Sequence, residues 1–169
     1  MMQGSVSVRP PQRTWLSWLA DLVLIAMVSG PFAAPFLAAS GLPVLVTISD
    51  IIYFMGQQVC PQPDMGVALA GDHIAAVCMR CYGTIFGLIG MRLLYGRDRG
   101  AAGYWLYRYG LVGFGLTFAF CMAYPAELAL QGFAWWPMDN LRMTAFGAIA
   151  GVGLGAFIMP LLHGYALED

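Results

Sequence analysis

Met143-Thr-Ala-Phe-Gly147-Ala-Ile-Ala-Gly151-Val-Gly-Leu-Gly155-Ala-Phe-Ile-Met-Pro-Leu-Leu162 carries no charge over its whole length. About 20 predominantly apolar residues match a hydrocarbon core of about 30 Å, so this stretch reads as a membrane-spanning helix. Gly147, Gly151 and Gly155 stand at four-residue intervals, which places them on one helix face. Thr144 and Ala148 widen that face into a stripe of small residues, and such a stripe lets a second helix backbone approach closely. Its occupant is either another helix of the same chain or another membrane subunit. Gly83 and Gly87 repeat the pattern.

Three more runs resemble the first: Trp15 to Ala39, interrupted by Pro31 and Pro35, then Ile74 to Leu94, then Tyr104 to Tyr124. Pro31 and Pro35 are expected to kink the first run or end it early. The whole chain agrees with this reading. It is 60% hydrophobic and 10% charged, well below the usual quarter, with a mean hydropathy of +0.70. All eight of its cations are Arg and the net charge is −1, which leaves no basic footprint for nucleic acid. No polar stretch is long enough to build a separate soluble core, so residues 1–169 read as a single integral membrane domain.

Leu42 to Gln58 is apolar enough to sit at the membrane but carries Asp50 and ends in Gln57-Gln58. The loop arginines decide how to treat it, because positive loops favour the cytoplasm. Arg9 and Arg13 precede the first run, and Arg97 and Arg99 lie between the second and third. Both groups fall on the cytoplasmic side only if Leu42 to Gln58 does not cross. The expected fold is therefore all-α: a polytopic membrane helix bundle of about four transmembrane helices plus one interfacial or re-entrant helix. Residues 1–14 become a cytoplasmic tail, both termini lie in the cytoplasm, and a loop over 60–77 faces the outside of the cell membrane. The first run is longer than a signal-peptide core and contains Asp21, so it reads as a retained anchor. Trp105, Trp135, Trp136, Tyr104, Tyr107 and Tyr124 fall near span ends, as an interfacial aromatic belt would.

Chemistry concentrates between Cys60 and Gly83, a segment holding three of the four Cys and one of the two His. Cys78-Met-Arg-Cys81 followed by Gly83 suits a turn whose backbone N–H groups point at the sulfurs, with the glycine avoiding a Cβ clash. Cys60, Cys78, Cys81 and His73 would make a tetrahedral Cys₃His site, with Asp64 or Asp72 as substitutes for His73. Zinc is then the leading metal and iron the second. The same cysteines admit redox chemistry. A helix N-terminus and Arg80 favour thiolate at Cys78 and Cys81, and with Cys60 as a third thiol the set would suit a thiol:quinone oxidoreductase. A plain structural disulfide also fits an external loop.

Other polar residues invite simpler readings. Cys121 reads as a small core residue and His163 as an interfacial side chain. Arg108 and Arg142 would snorkel to the headgroups. Glu127 and Asp50, the acids nearest membrane depth, would pair with an Arg.

Cys60-Pro61-Gln62 and Val77-Cys78-Met79-Arg80-Cys81-Tyr82-Gly83 resemble the hallmark of an uncharacterised bacterial and archaeal membrane family with a domain of unknown function. That hallmark is Cys-His-Gln followed by Val-Cys-x-Arg-Cys-x-Gly. The similarity runs from about Ile51 to Pro160 and implies a polytopic membrane protein, with no substrate attached. This chain has Pro61 where the family has His, and Glu127-Leu128 where the family tends to Asp-Gly. A metal-binding protein with a structural or accessory role, as a subunit of a larger membrane complex, is the function these residues lead one to expect. Its partners would be the lipid bilayer and other membrane subunits bound through the Gly147/Gly151/Gly155 face.

Overall fold

A first apolar helix, α1 (Trp15–Ala39), runs unbroken through both of its prolines. Pro35 has no N–H to give the carbonyl of Pro31, a loss that ends most helices. Here the backbone N–H of Ala76 donates to the Pro31 oxygen at 3.3 Å, so the neighbouring segment repairs the gap. The computed structural model describes residues 15–163; the expected cytoplasmic tail over 1–14, with Arg9 and Arg13, lies outside them.

After a turn at Gly41, whose φ is +67°, α2 (Pro43–Val59) folds back along the second half of α1. Ser49 Oγ donates to the Ala34 carbonyl at 2.8 Å and Gly30 faces Ile52, which fixes the antiparallel register. Seventeen residues span about 26 Å, short of the hydrocarbon thickness. Helix α2 is accordingly not among the helices long and apolar enough to cross a membrane.

A small antiparallel hairpin follows, β1 (Ala68–Ala70) paired with β2 (His73–Ile74). The second expected span therefore does not begin at Ile74. Residues 74–77 are tied to the hairpin and to α1 by backbone bonds, Ala75 N to Val67 O at 2.8 Å among them. Helix α3 (Met79–Asp98) starts five residues later and carries Arg80, Arg92, Arg97 and Asp98. It is not among the helices that are long and apolar enough to cross a membrane, namely Trp15–Ala39, Leu106–Leu130 and Asn140–His163. The middle one of these joins a 3₁₀ turn (Leu106–Tyr109), α4 (Gly110–Cys121) and α5 (Ala123–Leu130). It extends six residues past the expected end at Tyr124. The last helix, α6 (Asn140–His163), matches the uncharged stretch.

Cross-contacts give the helix directions. Arg80 lies beside Gly147 and Met91 beside Gly155, so α3 and α6 run parallel. Phe120 meets Gly153 and Phe114 meets Phe157, so α4 runs antiparallel to α6. Pro31 bonds to Ala76 while Asp21 reaches Arg92, so α1 runs antiparallel to α3. The start of α1, the end of α3 and the end of α6 thus share one end of the bundle, together with Arg97 and Arg99. The all-α fold expected from the sequence is the fold observed, and α1 and α4 turn large apolar side chains such as Leu22, Ile25, Leu111 and Phe118 outward, where a bilayer would cover them.

The small-residue stripe of α6 is filled from inside the chain. A Cβ at Gly147 would collide with the Arg80 carbonyl, one at Gly151 with the Thr84 carbonyl, and one at Gly83 with the Thr144 carbonyl. Glycine is required because backbone meets backbone. Of the two occupants expected for Gly147, Gly151 and Gly155, the helix of the same chain is the one found, since α3 lies on that face.

At the arginine end, Arg92 donates to both carboxylate oxygens of Asp21, at 2.5 and 2.7 Å. His163 approaches the same carboxylate at 3.6 Å and hydrogen-bonds Ser17. His163 is thus an interior residue joining α1 to α6 rather than an interfacial one. Trp105 also leaves the expected aromatic belt: it is fully buried, edge-on to Tyr95, with Nε1 donating to Asp98.

Candidate metal centre

Cys60 ends α2, Cys78 caps the start of α3 and Cys81 lies in the first turn of α3. Two segments, the end of α2 and the start of α3, therefore deliver three sulfurs to one place, all within 4.8 Å of one another. Cys78 and Cys81 are 3.8 Å apart at sulfur, and the Cys78 backbone N–H donates to Cys60 Sγ at 3.3 Å. Cys78 is fully buried and Cys60 only 3% exposed, while Cys81 is partly exposed. All four cysteines are free thiols, so the structural disulfide is not formed. Hydrogen bonds from the Cys78 and Cys81 thiols, then from backbone N–H groups, pull the Cys60 thiol well below its ordinary range despite burial.

His73 does not join this group. The turn at Gly71, with φ +58°, and Asp72 places His73 on the exposed tip of the hairpin, and Asp64 and Asp72 are exposed as well. Gly83 does not close a turn around the sulfurs either. It sits inside α3, where its role is the contact with Thr144.

Beside the sulfurs lies a buried polar network that the sequence foreshadowed only in part. Arg80, between the two α3 cysteines, is fully buried and pairs with the equally buried Glu127 of α5. Its Nη atoms reach Gln62 Oε1 at 3.3 and 3.4 Å, and Gln131 Nε2 donates to Glu127 Oε1 at 2.8 Å. The Arg80 guanidinium lies 5.3 Å from the Tyr124 ring centroid, close enough for a cation–π contact. The Tyr124 hydroxyl is 3.1 Å from Cys81 Sγ, so Tyr124 serves the site rather than an aromatic belt. Arg80 is therefore turned toward Glu127 and Gln62. The pairing of Glu127 with an arginine was expected, whereas the partner could not be read from spacing, being 47 residues away.

The remaining candidates lie elsewhere. Asp50 is exposed on α2, Arg108 bonds the Ala101 carbonyl at 3.0 Å, and Arg142 lies over Trp136. Cys121 points at the Ala150 carbonyl from 4.0 Å, as a packing residue would.

The family model described as predicted membrane protein (DUF2085) matches residues 61–157, more than half of the chain. No protein of curated description and no solved structure matches it.

Proposed function

The chain belongs to the predicted membrane protein family DUF2085, and we propose that Cys60, Cys78 and Cys81 hold a thiophilic metal ion in a structural or accessory role. One observation carries this reading, the convergence of three free sulfurs within 4.8 Å, two of them buried. A metal bound at about 2.3 Å in tetrahedral geometry spaces its sulfurs roughly 3.8 Å apart, the separation found between Cys78 and Cys81. Zinc and iron are the ions the sequence suggests. Because the ligands come from α2 and α3, a bound ion would staple the α1–α2 hairpin to the rest of the bundle.

The test is elemental analysis of detergent-purified protein beside a Cys78→Ser/Cys81→Ser variant. About one metal ion per chain, absent from the variant, is the expected result. Metal-free wild type whose Cys78 and Cys81 form a disulfide that reductant opens would replace this reading with a thiol oxidoreductase. In that case the pair would release two electrons and two protons to a quinone-class acceptor. The 3.8 Å separation of the Cys78 and Cys81 sulfurs, both free thiols, is the observation that favours this second reading.

The helix directions support four crossings by α1, α3, the 106–130 rod and α6, with α2 re-entrant; α3 falls short of a span on apolarity alone and would cross with its Arg80 and Arg92 paired to Glu127 and Asp21 inside the bundle. Arg97 and Arg99 at one end then orient the bundle, both termini cytoplasmic and the cysteine end outside. A reporter fused after Asp169 should read as cytoplasmic, while a periplasmic or extracellular reading would reverse the orientation.

A further inference from the structure

Which ion fits is decided by what surrounds the three sulfurs, and this inference rests on the metal-site reading above. Structural zinc takes four ligands, and mononuclear or clustered iron held by thiolates takes four as well. The site offers three. Among the described residues no imidazole or carboxylate joins the cluster, since His73, Asp64 and Asp72 are exposed on the hairpin segment. Glu127 is spent on Arg80 and Gln131. Cys78 is fully buried and Cys60 is 3% exposed, so a water ligand would have to enter on the partly exposed Cys81 side. A neighbouring oxygen, the Tyr124 hydroxyl, is a phenol already hydrogen-bonded with Cys81, and it would have to lose its proton to become a strong ligand.

The lining that remains is soft. Met143, fully buried on α6, belongs to the same packed cluster as Cys60 and Cys78, and Met65 and Met79 pack against it. Methionine fills gaps in many cores, yet here three methionines, Met65, Met79 and Met143, pack into the cluster that holds the three cysteines. Thiolate and thioether donors suit Cu(I), zinc and iron–sulfur clusters alike, and of these Cu(I) is the ion that three sulfurs in a plane satisfy. We infer that the site is built for a soft, three-coordinate ion, Cu(I), rather than for zinc or iron.

The experiment uses the full-length protein in detergent under argon, stripped of metal and loaded in parallel with Cu(I) and with Zn(II). Each sample is challenged with a chelator, bicinchoninate for copper and EDTA for zinc, and the copper sample is then read by X-ray absorption. The expected result is one Cu(I) per chain with three sulfur neighbours, and loss of at least nine-tenths of the zinc to a tenfold excess of EDTA. Zinc that survives EDTA at one per chain, or copper bound by fewer than three sulfurs, would overturn this inference and leave the metal site standing. Failure of both ions to bind a chain that remains helical by circular dichroism would overturn the metal site itself.

Discussion

Glu127→Ala is expected to destabilise the chain by about 3–5 kcal/mol, enough to abolish the fold of a marginal protein. Arg80 is fully buried and Glu127 is 1% exposed, so removing the carboxylate leaves an uncompensated guanidinium where no water can reach it. The loss would spread to the sulfurs, because Arg80 also holds Gln62, two residues from Cys60, and lies over the Tyr124 ring. A paired replacement, Arg80→Met with Glu127→Leu, should recover much of the stability, since apolar residues of similar volume replace buried ion pairs at little cost. Recovery should stop short of wild type, as Gln62 and Gln131 each lose a partner. Thermal unfolding of the three proteins in one detergent measures this. An Ala variant as stable as wild type would mean that the pair is not sealed from water.

Gly151→Leu should be nearly as damaging, costing at least about 3 kcal/mol, at the upper end of core overpacking. Its Cβ would fall on the Thr84 carbonyl, and backbone cannot swing aside as a side chain can, so α3 and α6 would have to separate. Gly90→Leu is the control. Nothing lies within 4 Å of a Cβ there, and the change removes a helix-weakening glycine, so stability should hold or rise by up to about 1 kcal/mol. Size-exclusion profiles and thermal scans of both variants give the comparison. A monodisperse, stable Gly151→Leu protein that merely loses a co-purifying subunit would show that the face serves a partner after all.

The dependence of these effects on position shows how unevenly the sequence could be read. Hydropathy located α1 and α6 within a few residues, because a helix in lipid must be apolar for its full length, and that demand is written continuously along the chain. It misjudged the start of α3. Ile74 to Val77 are as apolar as a span, but they pack against α1 and the hairpin, and burial in protein selects the same residue types as burial in lipid. The hairpin itself, only five strand residues, left no alternating pattern long enough to detect.

The candidate site divides in the same way. Cys60, Cys78 and Cys81 stood out by composition and spacing, and they do converge. His73 belonged to the same segment yet turned away, because the tight turn at Gly71 decides which side of the hairpin tip it occupies. Tyr124 and Gln62 could not have been found by spacing, since one meets Cys81 and the other Arg80 only after α5 and the α2 end are packed on α3.

The sequence by itself determined the class of molecule, an all-α membrane protein with small-residue helix faces and a cysteine-rich segment, because composition and periodicity are local properties that solvent and lipid select residue by residue. The tertiary structure alone decided which charges meet, that α3 fills the glycine face of α6, and that three sulfurs converge without a histidine. Those outcomes depend on helix direction and register, which are set by contacts between residues far apart in the chain.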